Sequence, residues 1–152
     1  MGFVRTLEGD IPAGQLGVTY SHDHIYCIPP YWAERKDDDL LLDSPEASER
    51  ELADFRLAGG QSFYDATAPD YGRQVSVVAD IARRQQVQII ATAGFNKGFL
   101  WSTNRPGTDQ TFADWIENSP LDALIEHVVH EVTQGIEGTD YRAGVVKCGT
   151  GY

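Results

Sequence analysis

The sequence predicts an α/β domain built around a parallel sheet. Short strand-like runs alternate with longer stretches whose apolar residues recur at helical spacing, the order of a β–α–β chain. The run at residues 87–93 is β-branched and apolar enough to be covered on both faces, as parallel strands are. The 152 residues, 41% of them hydrophobic, suit one compact domain with a core of its own. No internal repeat, low-complexity tract or interdomain linker interrupts them.

In chain order, residues 3–7 read as a short strand, with a turn near Glu8-Gly9-Asp10. Residues 17–22 form the first core strand, and a long aromatic-rich loop carrying Pro29-Pro30 runs from residue 23 to about 43. Asp43-Ser44-Pro45-Glu46 supplies a cap, a first-turn proline and an acidic residue at the positive end of the helix dipole, so a helix starts there. Gly59-Gly60 ends it. Residues 62–67 are the second strand and 72–84 the second helix, with Val75, Val78, Ile81 and Ala82 along one face. After the third strand at 87–93, a second long loop (94–106) leads to a helical turn through Phe112 and Trp115. Ser119-Pro120 opens the clearest helix: Leu121, Leu124, Ile125, Val128 and Val132 share a face until Gly135. Residues 142–148 are the fourth strand.

Charge narrows the function. Twelve Lys and Arg against 23 Asp and Glu give a net charge of −11. That argues against a nucleic-acid surface, which needs clustered cations, and against docking on anionic lipid. No apolar run is long enough to span a membrane. Residues 1–14 lack the apolar segment of a secretory signal, so a cytoplasmic protein is expected, with Cys27 and Cys148 as reduced thiols. The start Met1-Gly2-Phe3-Val4-Arg5-Thr6 fits the loose myristoylation pattern, but no polybasic patch follows and one acyl chain anchors only weakly.

The residues able to carry chemistry sit at strand ends. In an extended chain, positions i and i+2 point the same way, so His22 and His24 can face one metal while Asp23 points elsewhere. The bland alternative is a pair of polar residues in a solvated turn. Lys147, inside the fourth strand, is either a lysine that reaches water and deters aggregation or a lysine carbamylated to an anionic oxygen ligand. His127 and His130 lie on the last helix in a stretch that mimics a zinc-protease motif with its glutamate misplaced, and they read as solvated helix residues. Gly149-Thr150-Gly151 lacks the third glycine and helix of a dinucleotide site, and Asp37-Asp38-Asp39 reads as solvated loop. Asp65, within the second strand, reads as a structural carboxylate.

Four stretches together resemble the phosphotriesterase family of the amidohydrolase superfamily. They are Leu16-Gly17-Val18-Thr19-Tyr20-Ser21-His22-Asp23-His24, Asp65-Ala66-Thr67-Ala68-Pro69-Asp70-Tyr71-Gly72-Arg73, Ile90-Ala91-Thr92-Ala93-Gly94-Phe95-Asn96-Lys97-Gly98 and Arg142-Ala143-Gly144-Val145-Val146-Lys147. They follow the family's order from first to fourth strand. The resemblance implies a (β/α)8 TIM-barrel fold, of which this chain holds the first four β units behind a short N-terminal β segment. It implies two divalent metal ions, zinc or else manganese or cobalt, with His22, His24 and Lys147 as ligands. Lys147 would be a carbamate made from carbon dioxide or bicarbonate, and a metal-bridging hydroxide would be the nucleophile. The family's two further histidines, from the fifth and sixth strands, and its aspartate from the eighth have no counterpart in residues 1–152. Asn96 stands where the family often has an aromatic residue.

These readings set the expectations. The chain is half of a metal-dependent hydrolase barrel, since a closed barrel takes about 250 residues, and by itself it is inactive. The substrate is a small ester, either a lactone or other carboxylic ester or an organophosphate. Tyr26, Phe95, Asn96, Lys97 and Trp101 are candidates to contact it, with Tyr31, Trp32 and Phe99 on the same two loops. The partner is a second copy or the complementary half. The rival reading is a non-catalytic half barrel that self-associates or pairs with another chain through its open edges.

Overall fold

The computed structural model describes residues 2–29, 32, 41–98 and 101–149. Tyr31, Phe99, the Asp37-Asp38-Asp39 run and residues 150–152 lie outside the described residues. The chain opens with an antiparallel hairpin, β1 (Phe3–Thr6) and β2 (Gly9–Pro12). The turn expected near Glu8-Gly9-Asp10 is formed by Leu7 and Glu8, which suffice to reverse the chain, so Gly9 and Asp10 begin the second strand. Arg5 clamps Asp10 through two hydrogen bonds (2.8 and 3.1 Å) and donates to the carbonyl of Val132 at 2.6 Å. The hairpin is thereby tied to the last turn of the final helix, where unpaired carbonyls favour a cation.

Then come β3 (Thr19–Asp23), α1 (Pro45–Leu57), β4 (Ser62–Asp65), α2 (Val75–Gln85), β5 (Gln88–Ile90), β6 (Thr92–Phe95), α3 (Phe112–Asn118), α4 (Leu121–Thr133) and β7 (Val145–Cys148). β3, β4 and β5 pair in parallel in that order, and β6 pairs in parallel with β7. The third strand of the sequence reading is thus two short strands hinged at Ala91. Its carbonyl accepts from the backbone of Gly144 (2.9 Å) and Val145 (3.2 Å), so the chain leaves β4 as its neighbour and takes up β7. Four parallel runs therefore lie side by side in sequence order, each linked to the next through helix.

Local signals account for most boundaries. Ser44 caps α1 by accepting from the Ala47 amide at 3.2 Å, Pro45 fills the first turn, and Gly59 closes it with φ 99°. α2 begins later than expected: Pro69–Tyr71 is a 3-10 turn, and Gly72 takes φ 76° beneath the Ile28 carbonyl, where no Cβ would fit. Val75, Val78, Ala79, Ile81 and Ala82 of α2 are buried, and with Leu52, Phe63, Ile89, Ala93 and Ile136 they make up most of the core.

α4 departs most from expectation. Val128 and Val132 pack against the core, but Leu121 is 71% exposed and Ile125 50%. The one fully buried residue of the helix is Glu131. Its carboxylate takes both terminal nitrogens of Arg73, which is buried too and also bonds Glu137 (2.9 Å) and the Thr92 carbonyl (2.5 Å). The helix is rotated so that this pair meets beneath it, which leaves Leu121, Ile125 and Val129 as an uncovered apolar flank. Beside them Phe95, Leu124 and Val128 complete a shallow groove of about 290 Å³. Among the described residues, nothing pairs with the outer edges of β3 and β7. No helix among them is long and apolar enough to cross a membrane.

Glu131→Ala strands a buried guanidinium and should destabilise the chain by ~3–5 kcal/mol in urea unfolding, whereas Arg73→Met with Glu131→Leu should recover most of that. A loss under ~1 kcal/mol for the single change would show that Arg73 does not need this partner. Gly94→Ala should also destabilise, by at least ~1–2 kcal/mol: φ is 88°, and a Cβ there would lie 2.2 Å from the Lys147 carbonyl oxygen.

Candidate metal and hydrolytic centre

The C-terminal ends of β3, β4 and β7 lie together, and the candidate residues gather there. His22, within β3, and His24, just past its end, have ring centroids 6.3 Å apart and planes at 85°, where the β3–β4 register shifts between Tyr20 and Asp23. Asp23 between them turns to the backbone: its carboxylate accepts from the His24 amide (2.9 Å) and its carbonyl from the Ala66 amide (2.9 Å). His22 is exposed, with its ring edge-on to Tyr64 at 5.8 Å. His24 lies deeper, stacked on Tyr71 at 4.6 Å with planes 25° apart.

His24 is held from below. Its Nδ1 lies 2.9 Å from the Thr67 hydroxyl oxygen. That hydroxyl donates to Asp65 Oδ1, which also accepts from the Thr67 amide at 3.1 Å. Nε2 makes no hydrogen bond among the described residues and remains the nitrogen available to a ligand. Burial, then the nearby Lys147 cation, push His24 down to about 4, so it is a neutral imidazole at physiological pH.

Lys147 stands opposite Gly94 in the β6–β7 register, and its Nζ donates to the Ala66 carbonyl at 3.0 Å. It therefore shares with His24 the short segment Ala66-Thr67, at the same end of the sheet. Burial moves the Lys147 ammonium down, toward the amine that can add carbon dioxide, against the opposing pull of Asp70 and Asp65. Among the described residues, no three His, Cys, Asp or Glu side chains cluster as a metal site. The donors present are two imidazoles and one amine. A lysine ammonium cannot ligate, but a carbamate offers two oxygens, and that set fits part of a two-ion centre rather than a closed structural zinc site.

The residues expected to contact substrate disperse. Tyr26 is 8% exposed and packs in the main hydrophobic cluster. Phe95 pairs with Cys148, one residue beyond Gly94 and Lys147, so its side chain emerges on the helix face, stacked on His127 at 6.2 Å. Asn96 is held by its amide, which donates to both oxygens of Asp70 (2.8 and 3.0 Å), and Trp101 Nε1 donates to the same carboxylate at 3.1 Å. Lys97 is exposed and Trp32 half-buried. His127 is not the solvated residue expected: α4 presses it against Phe95 and, at 4.9 Å, Trp115, while His130 is exposed. A cavity of about 600 Å³ runs between β3 and α1 and reaches His24 but not Lys147.

Three buried polar residues escaped the sequence reading as parts of this site: Thr67, Asp70 and Arg73. Their only signal was their place in the stretch from Asp65 to Arg73, too polar to be a plain buried loop.

Comparison with known proteins identifies a family. The sequence model of the Phosphotriesterase family matches residues 2–152. A phospho-furanose lactonase of Mycoplasmopsis agalactiae is 28% identical over 99% of this chain and 43% of its own length. An N-acetyltaurine hydrolase of Xenopus tropicalis is 28% identical over 95% of the chain and 46% of its own. Among solved structures, the lactonase Lmo2620 from Listeria monocytogenes superposes with a TM-score of 0.95 at 52% identity, over 99% of this chain and 48% of that one. The chain thus spans less than half the length of the relatives it matches. From the matching family model and the parallel strands that present His22, His24 and Lys147 at one end, the chain belongs to the phosphotriesterase family.

Proposed function

We propose that the chain is the first half of a (β/α)8-barrel hydrolase with a two-metal centre, acting on a lactone. One observation carries this reading: His24 and Lys147, 123 positions apart in sequence, are both hydrogen-bonded to the adjacent residues Ala66 and Thr67, at the strand ends where barrel enzymes do their chemistry. His22 and His24 would hold one ion, and Lys147 would join it to a second. Lys147, having given its ammonium proton to water, would add through nitrogen to the carbon of carbon dioxide, forming an N–C bond as one C=O π pair moves to oxygen; a second proton would pass from nitrogen to water, leaving an anionic carbamate. The ions, zinc or alternatively manganese or cobalt, would supply Lewis acidity to polarise the ester and acidify water.

The chain's own residues prepare that site. Thr67 and the Ala66 carbonyl orient the two deeper ligands, and Asp70 fixes the start of the loop after β6. The names of the relatives favour a lactone over an organophosphate, so a phosphorylated furanose lactone is the first substrate to assay. Three protein ligands for two ions leave the centre incomplete. Further ligands would come from a complementary half, on further sequence or a separate chain.

Residues 1–152 by themselves should show no metal-dependent lactone hydrolysis with zinc, manganese or cobalt and bicarbonate. The chain alone should bind a zinc ion only weakly, through His22 and His24, and mixing with a complementary half taken from a relative should complete the two-ion centre and restore turnover. In that assembly Lys147→Ala should lower turnover by about a hundredfold or more, and His130→Ala by less than about twofold. Strong turnover by the chain unaided, abolished by His22→Ala, would defeat the half-barrel reading.

The uncovered flank of α4 and the two open strand edges favour a second reading, a non-catalytic half barrel that self-associates. Sedimentation of the metal-free chain decides how these surfaces behave. Dimers or larger species that dissociate when the complementary half is added are expected. A stable monomer would argue against open edges of any consequence.

A further inference from the structure

We infer that Thr67 and Asp65 form a positioning relay that fixes which nitrogen of His24 carries its hydrogen. The argument is one of donors and acceptors. Asp65 Oδ1 accepts from the Thr67 amide at 3.1 Å and faces the Thr67 hydroxyl as well, so toward that side chain it is an acceptor. The single hydroxyl hydrogen of Thr67 is therefore committed to Asp65. Toward His24, 2.9 Å away, the same oxygen can only accept. Nδ1 must supply the hydrogen, and in a neutral imidazole that leaves the lone pair on Nε2.

The surroundings make the relay rigid. Thr67 is 1% and Asp65 5% exposed, so water cannot replace either partner. The β-branched threonine has few rotamers to choose from, and Tyr71 covers the face of the imidazole. The relay deepens the metal-site reading above, on which its purpose rests: a histidine delivered with Nε2 bare needs no tautomer change before it ligates. The tautomer itself rests only on the hydrogen bonds.

The test uses the metal-free chain labelled with nitrogen-15 on histidine. Long-range proton–nitrogen correlation spectra at pH 7.5 should show His24 with a protonated-type Nδ1 and a bare-type Nε2. Thr67→Ser, which keeps the hydroxyl, should preserve that pattern. Thr67→Val, nearly isosteric, and Asp65→Asn should shift it toward the Nε2–H form or a mixture. Zinc added to the same samples should perturb Nε2 of His24, with affinity weakened about tenfold or more by Thr67→Val and little changed by Thr67→Ser. A wild-type His24 protonated at Nε2, or a tautomer untouched by Thr67→Val, overturns the relay. A wild-type chain with the expected tautomer that takes up no zinc at His24 upholds the relay and removes the metal-site reading instead.

Discussion

The turn that follows β4 must bury its polar groups, and the rest of the site is built to satisfy them. Residues 65–71 and 73 are all buried, and a buried backbone or side-chain group without a partner is costly. Some pair within the turn, as Thr67 does with Asp65, and the rest find partners on other elements. The Ala66 amide takes the Asp23 carbonyl of β3, and the Asp65 carbonyl takes the Thr92 hydroxyl of β6. The Ala66 carbonyl takes Lys147 of β7, and Thr67 takes His24. Asp70 takes the loop after β6, the Gly72 carbonyl takes the Ile28 amide, and Arg73 takes α4 through Glu131. Nine residues thus brace three strands, two loops and a helix, and that bracing holds the end of the sheet that carries His24 and Lys147.

This arrangement explains why an acidic chain keeps cations at its centre. The excess carboxylates lie mostly on the surface, whereas Arg73 and Lys147 are drawn inward by Glu131, Asp70 and Asp65. A buried ion pair is no strong source of stability, but it specifies geometry, because either partner left alone is penalised. Arg73 with Glu131 fixes how α4 lies across β6 and β7.

Much of this was legible in the chain itself. Strand and helix order, the cap at Ser44, the stop at Gly59 and the apolar face of α2 are local signals, fixed by backbone sterics and periodicity within a turn or two. The closeness of the His22 and His24 rings goes with their two-residue spacing. The second strand of the N-terminal hairpin follows a turn tighter than its Gly9-Asp10 signal suggests, whereas the break at Ala91 and the late start of α2 depend on neighbours distant in sequence: the switch from β4 to β7, and the Ile28 carbonyl over Gly72.

The sequence by itself determined the elements, their order and the strand end that bears the imidazoles, because those follow from spacing along one chain. Only the tertiary structure decided which polar residues are buried. Glu131 looks like any surface glutamate on a helix until Arg73 lies beneath it, and Thr67 like any strand-end threonine until Asp65 and His24 close on it. It also moved Phe95, Tyr26 and His127 into packing roles. A side chain's partner across the fold is set by register and helix rotation, and those are properties of the assembled core rather than of any window of sequence.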